Sequence, residues 1–500
     1  MKIILESPVN KYYVQTLAMI FFPGERFGES ADDGESSLDT PVLYVRSEAK
    51  ENRVWALARI DWKGESNQSE YTAEQNDYRT AERTLKLAVG GAVLGALGER
   101  IGYRPAWGMM IGVRPSKVAT EMLNAGISKT RVKKTLTSDY LVIPKKAALA
   151  TDIAVTEKRI VGAPSPKDCS VYISIPFCPS RCTYCSFVSY TSKRLLDLIP
   201  QYLERLKADI LENFDLIRRL GLRVRTVYIG GGTPTILTAD QIRDLLSHIA
   251  SVTDVSALDE YTMEAGRPDT IDAEKMKIIH EYGVTRVSVN PQSLCDDVLC
   301  GIGRNHSVDE FFRAYEDAKN AGIKTINVDL IAGLPGDNFR RFSATMDGIL
   351  GLDPQNITVH TFCVKKSAEI LRLNSDIYSA RGGDAGKCVD YSQIKAHQAG
   401  YIPYYMYRQK NTVGNYENVG FSKPGHEGLY NIYMMEEIHS IFAAGAGAVT
   451  KLVDWNGTGA NGRTIERLFN QKYPYEYLAE NRSQNFAEVA EKFYREHGML

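Results

Sequence analysis

Five hundred residues suffice for about three domains and for an apolar core that needs no disulfide support. Sixty Lys and Arg against 61 Asp and Glu leave a formal net charge of −1, which argues against bulk attraction to nucleic acid or to an anionic membrane surface. The longest uncharged apolar run, residues 87–98, is short of the ~18 to 20 residues of a bilayer span, and the amino terminus lacks an apolar signal core, so a cytoplasmic protein is expected.

In chain order, residues 2–5, 42–46 and 54–60 read as strands and 81–96 as a helix, with an acidic, small-residue loop at 24–40. These elements make an N-terminal α+β domain, residues 1–165, that carries no catalytic motif. Its basic stretch, Lys129, Arg131, Lys133, Lys134, Lys145 and Lys146, reads as a solvated helical face. Pro164-Ser-Pro166 breaks the pattern and marks the boundary.

From 166 to 365 short β-branched runs alternate with helical periods. The runs are 171–175, 224–229, 261–264, 286–289, 325–331 and 357–362. Between the first two, Leu203, Leu206, Ile210, Phe214 and Ile217 share one helical face. Six βα repeats predict a parallel sheet, which an open doubly wound sheet and a partial barrel satisfy equally. The unusual residues gather at the carboxyl ends of the strands, where ligands bind in either architecture. Residues 366–500 carry aromatic clusters at 401–407 and 473–477 and a Gly/Ala stretch at 443–448, and are expected to pack as a separate α+β unit covering the substrate pocket.

Eight cysteines are too few for a disulfide scaffold, yet three crowd into Cys178-Pro-Ser-Arg-Cys182-Thr-Tyr-Cys185. Three thiolates at this spacing can bind three irons of a cubic iron-sulfur cluster and leave the fourth open. A structural zinc site wants four protein ligands, and no further Cys or His completes the loop.

The stretch from Tyr172 through Ile-Pro-Phe-Cys178 to Cys185 resembles the cluster loop of radical S-adenosylmethionine enzymes, in the branch of the oxygen-independent coproporphyrinogen III oxidases and their long bacterial form. The likeness continues through Gly230 to Pro234, Arg286-Val-Ser-Val, Gln292-Ser, Gly303-Arg304-Asn-His306 and 327–335. It implies a partial (βα)6 TIM-like barrel, with a 4Fe-4S cluster on Cys178, Cys182 and Cys185. Around S-adenosylmethionine it implies Tyr172, Tyr184, Gly231, Gly232, Thr233, Glu264, Gln292, Arg304, Asp329, Ile331 and Cys363. Chemically, Glu264 can neutralise an amino group or sulfonium, Arg304 can pair a carboxylate, and Asp329 can accept from ribose hydroxyls. Gly231 and Gly232 would let backbone approach the cosubstrate without a Cβ in the way.

The family reaction, driven by a 5′-deoxyadenosyl radical, converts two propionates of coproporphyrinogen III to vinyl groups, and it needs an electron donor that the sequence does not identify. An anionic tetrapyrrole wants cations beside flat apolar surface; Arg408 and Lys410 follow a tyrosine cluster, and Asn431 and Tyr433 lie in a segment resembling the family's C-terminal pocket. Phe187 stands where the proven oxidases carry a further cysteine and resembles instead the haem-chaperone branch; Asn290-Pro291 replaces Gly-Val. A haem-binding chaperone and a radical methyltransferase or haem-degrading enzyme are the alternative readings. His306, His360 and His426 read as polar residues rather than haem ligands.

Overall fold

The structure, a computed structural model, describes residues 1–23, 25, 27, 39–76, 79–185, 189–363, 383–409, 412–455, 463–479 and 485–500. Its first sheet runs β1 (Lys2–Glu6), β2 (Val42–Lys50), β3 (Arg53–Trp62) and β4 (Glu65–Glu74), with β1 parallel to β2 and the rest antiparallel. The helix Ala81–Ile101 crosses it, capped by the Thr80 hydroxyl and ended by Gly102 in the left-handed region. Its glycines set the distance of approach: a Cβ on Gly91 would meet the Tyr71 ring at 2.3 Å, and one on Gly95 would meet Ser69 Oγ at 2.1 Å. The apolar run 87–98 is therefore core, and among the described residues no helix is long and apolar enough to cross a membrane. Sequence reading missed β4, because only Ala73 of its ten residues is buried and a polar edge strand gives no apolar alternation.

The six predicted repeats form β5 (Asp168–Ile175), β6 (Arg223–Gly231), β7 (Glu260–Glu264), β8 (Arg286–Ser288), β9 (Thr325–Ala332) and β10 (Asn356–Thr361), adjacent in that order and all parallel. The helix Ile199–Arg219 buries all five residues of the predicted face. Capping boxes, Thr238 with Gln241 and Ser307 with Glu310, start two of the later helices. The sheet is a partial barrel: β5 and β10 do not meet.

The tail departs from expectation here. Rather than packing as a separate α+β unit, it supplies strands to both open edges of the barrel. β11 (Ile402–Tyr407) and β12 (Asn418–Ser422) extend the β10 side, while β13 (Ser440–Ala444), β14 (Val449–Asp454) and β15 (Thr464–Phe469) extend the β5 side, giving eleven strands in one sheet. An open barrel edge presents unpaired N–H and C=O groups, and pairing satisfies them. The small residues at 443–448 serve this join: Gly445, at φ +98, turns so close to β5 that a Cβ would sit 2.6 Å from the Ser174 carbonyl oxygen.

The expected solvated face is also partly corrected. Lys146 is fully buried, 2.5 Å from Glu417 and 3.1 Å from Asp390, and Lys145 pairs with Asp390 as well. Trp107 Nε1 donates to Glu417 at 2.7 Å. The N-terminal segment thus docks on the tail through a buried ionic cluster, with the helix Pro144–Val161 lying against β11.

Candidate functional site

A cavity of about 610 Å³ opens at the carboxyl ends of the barrel strands and continues down its interior to the helix Leu429–Glu436. All three thiols and all eleven residues expected around the cosubstrate line it.

The thiol loop leaves β5 and is tied back at several points. Cys178 N–H donates to the Tyr190 carbonyl at 3.1 Å, Thr183 N–H to the Ile302 carbonyl at 3.1 Å, and Cys185 N–H to the Cys182 carbonyl at 3.1 Å. Cys178 Sγ lies 3.3 Å from Thr233 Oγ1, and burial pushes this thiol up in pKa. Phe187 lies outside the described residues. Gly232 has a plainer role than the one expected: a Cβ there would stand 2.5 Å from the Phe177 carbonyl oxygen, so the glycine lets β6 press against the root of the thiol loop. Gly232 and Thr233 N–H groups are already given to Ile175 and Phe177 carbonyls at 2.8 Å each.

Beyond the loop the groups sort by charge. Glu264 closes β7 and receives a hydrogen bond from Tyr228 at 2.5 Å. Burial, reinforced by the nearby Asp329 carboxylate, raises its pKa to about 7 against the lowering effect of Tyr228, Gly231 and His360. Asp329 accepts from Asn327 at 2.7 Å and faces His360 at 3.7 Å. Arg304 is 9% exposed; it donates to the Tyr184 hydroxyl at 3.1 Å and to the Asn290 and Gly266 carbonyls at 3.2 and 3.3 Å. Among the described residues no carboxylate lies within ion-pair distance of it, and the Asp269 charge acts on it only from farther off, so a buried guanidinium faces the cavity with no direct ion pair. The Asn290-Pro291 replacement is thereby accounted for in part: the Asn290 carbonyl supports Arg304 and its side-chain oxygen accepts from Asp329 N–H at 3.2 Å.

Gln292 sits in the left-handed region at φ +70, locked by Gln292 N–H to the Asp329 carbonyl and Ile331 N–H to the Gln292 carbonyl. Among the described residues its buried side-chain oxygen has no partner, nor has Thr262 Oγ1. Orphaned acceptors and an unpaired guanidinium converging on one cavity are what a polar zwitterionic guest would satisfy. The donor set of the loop is three thiols with no carboxylate among them, which suits a cluster with one open iron. Among the described residues no three His, Cys, Asp or Glu side chains are gathered to hold a single metal ion.

The lower wall comes from the tail: Tyr404, Tyr405 and Tyr407 on β11, and Tyr430, Asn431 and Met434 on the helix. Tyr430 stacks on Tyr228 at 4.5 Å between centroids, and Tyr228 on Tyr172 at 6.0 Å. The expected anchor at Arg408 is corrected. Its side chain turns away from the cavity, is 3% exposed, donates to the Met110 carbonyl and lies 5.8 Å from the Trp107 ring. Arg408 stands one place beyond the end of β11, where its backbone N–H donates to the Val113 carbonyl at 2.7 Å and its side chain follows toward the N-terminal segment, while Tyr405 and Tyr407 face the cavity. Lys410 lies outside the described residues. Tyr433 does not line the cavity; it packs on His439.

His360 lines the cavity and interacts with Tyr407 at 3.2 Å, while His426 holds Thr325 at 2.8 Å. His306 is buried, with both ring nitrogens unpartnered among the described residues; burial, with the charge of Arg304, lowers its pKa to about 4. Arg267, which sequence reading passed over, reaches the thiol loop. Its only local signal is a Gly-Arg-Pro-Asp turn that begins two places after Glu264.

Residues 172–349 match the radical SAM superfamily. The chain is 32% identical over 497 residues, 97% of both chains, to the oxygen-independent coproporphyrinogen-III oxidase-like protein HemZ of Bacillus subtilis (strain 168). It is 29% identical over 308 residues, 61% of this chain and 77% of the other, to the heme chaperone HemW of the same organism. The solved coproporphyrinogen III oxidase HemN of Escherichia coli, described as a radical SAM enzyme, aligns with TM-score 0.47 and 21% identity over 59% of this chain and 68% of that one.

Proposed function

The chain belongs to the radical S-adenosylmethionine family of oxygen-independent coproporphyrinogen III oxidase-like proteins, with a 4Fe-4S cluster and S-adenosylmethionine as its cofactors, and on that premise we propose that it oxidatively decarboxylates two propionates of coproporphyrinogen III to vinyl groups, yielding protoporphyrinogen IX. The observation that carries this reading is the continuity of the cavity, from three thiols past the charged groups to a wall of tyrosines.

When bound, the cluster and cosubstrate supply a one-electron source and a strong abstractor of hydrogen atoms. Cys178, Cys182 and Cys185 would hold the cluster by three of its irons. Glu264 pairs the amino group of the methionine end, and Arg304 pairs its carboxylate. Asp329, oriented by Asn327, accepts from the ribose hydroxyls, and Gln292 offers its orphaned oxygen to a donor on the same guest. Tyr404, Tyr405, Tyr407 and Tyr430 give a flat tetrapyrrole its apolar bed, and Asn431 and Gln409, which also lines the cavity, offer amide donors to propionates. An external donor outside the chain supplies the electron. We place the reaction in the cytoplasm, where all eight free cysteines would stay reduced.

Anaerobic incubation of the reconstituted protein with reductant, S-adenosylmethionine and coproporphyrinogen III tests this. The expected result is 5′-deoxyadenosine formed only with the tetrapyrrole present, together with a product that has lost two carboxyl groups by mass. Stoichiometric haem binding without turnover would overturn the reading in favour of a chaperone.

A further inference from the structure

The loop leaving β7 serves both ends of the cosubstrate region and the thiol loop. Glu264 ends the strand facing the cavity, and Gly266, at φ +55, reverses the chain while donating its N–H to the Ser288 carbonyl at 2.8 Å. That reversal carries Arg267 back beneath the thiols. Its side chain is 3% exposed. Nη1 donates to Ser180 Oγ at 2.9 Å, to the Ser180 carbonyl at 3.3 Å and to Cys182 Sγ at 3.7 Å. Nε and Nη2 form a two-pronged pair with Asp269 at 3.0 Å each, which fixes the plane of the guanidinium.

We propose that Arg267 is a positioning residue that raises the one-electron reduction potential of the cluster through Cys182, with Asp269 as the opposing charge. Cys182 Sγ here stands for the thiolate that ligates iron. Reduction adds a negative charge to the cluster, so a cation and an N–H···S hydrogen bond on one ligand stabilise the reduced state more than the oxidised one. Hydrogen bonds to the sulfurs and net charge are established levers on such potentials. Burial strengthens the effect, because little water screens a charge this enclosed. Asp269 takes two of the guanidinium's donors and offsets part of its charge. The same geometry pins Ser180, midway between Cys178 and Cys182, and so holds the loop that presents the sulfurs. The inference rests on the cluster and on no particular substrate.

The test is an EPR-monitored redox titration of the reconstituted full chain with titanium(III) citrate, without cosubstrate or tetrapyrrole, alongside iron and sulfide analysis. Arg267→Gln keeps an amide near Ser180 and removes the charge; at a fixed applied potential its reduced-to-oxidised ratio should fall about tenfold, a shift of about 59 mV for one electron. Asp269→Asn should move the ratio the opposite way, and Arg267→Lys should return most of the loss. A role confined to holding the loop predicts lost iron with unchanged potential, or both variants moving in one direction, and either result overturns the proposal. Should Arg267→Gln fail to bind iron, Asp269→Asn decides alone, since an unmoved or lowered potential in that variant also overturns it. A wild-type chain that takes up no cluster overturns the cofactor reading as well.

Discussion

Glu264 is a carboxyl whose protonation decides what it can bind. Burial raises its pKa to about 7, so before the cosubstrate binds it is half protonated near neutrality. Pairing an ammonium requires the carboxylate, and binding therefore expels a proton whenever the pH lies below about 7. Titration calorimetry should find S-adenosylmethionine binding about tenfold weaker at about pH 6 than above 7, with proton release at the lower pH, and Glu264→Gln should bind weakly at both. A constant affinity across this range would remove Glu264 from the amino-group role. The stability consequence has the opposite sense. A carboxyl with a raised folded-state pKa contributes most below its ordinary value of 4.5, and that contribution is lost as the pH rises through about 7. Without ligand, Glu264→Gln should melt above wild type at alkaline pH, and the gap should close near 4.5.

The β6 terminus and the thiol loop are one packed element, joined where Gly232 meets Phe177. A methyl group at Gly232 would press on backbone, which cannot swing aside as a side chain can. Gly232→Ala should cost about 1–3 kcal/mol in denaturant unfolding and lower the iron bound per chain. Gly301→Ala is the control, since nothing lies within 4 Å of its Cβ position and its φ is ordinary; it should change neither measurement. The barrel strands were legible in sequence because each buried run is local and its helix repeats at 3.6 residues. β4 was not, being polar, and the tyrosine run of β11 read as flat apolar surface beside Arg408, because such a run does not announce which side of a strand each residue lines.

Across the whole chain, the buried Lys146 and Glu417 join segments 271 positions apart. Burial alone would push the Glu417 carboxyl up, but the Lys146 ammonium and hydrogen bonds from Lys146 and Trp107 hold it below the ordinary carboxylate value. Its stabilisation is present above that ordinary value and fades as the pH falls through the depressed one. Lys146→Met strands a buried carboxylate and should cost about 3–5 kcal/mol, whereas Lys146→Met with Glu417→Gln should recover much of that loss. Chemical denaturation, with proteolysis of the 162–167 connection as a second probe, measures both. Equal stability of the two variants would mean that the ionic pair does not hold the N-terminal segment to the barrel.

Local covalent spacing was enough to find the thiol loop and the six parallel strands, since each depends on neighbours within one βα unit, while the residues that ring the cavity were named by the likeness of their motifs to a known family. The placement of the tail along both barrel edges, the turning away of Arg408, the burial of Lys146 and the reach of Arg267 to Cys182 came from folding. Each of these depends on which distant segment fills the space beside a side chain, and a charged or aromatic residue reads the same in sequence whether its partner turns out to be solvent, a carboxylate or a sulfur.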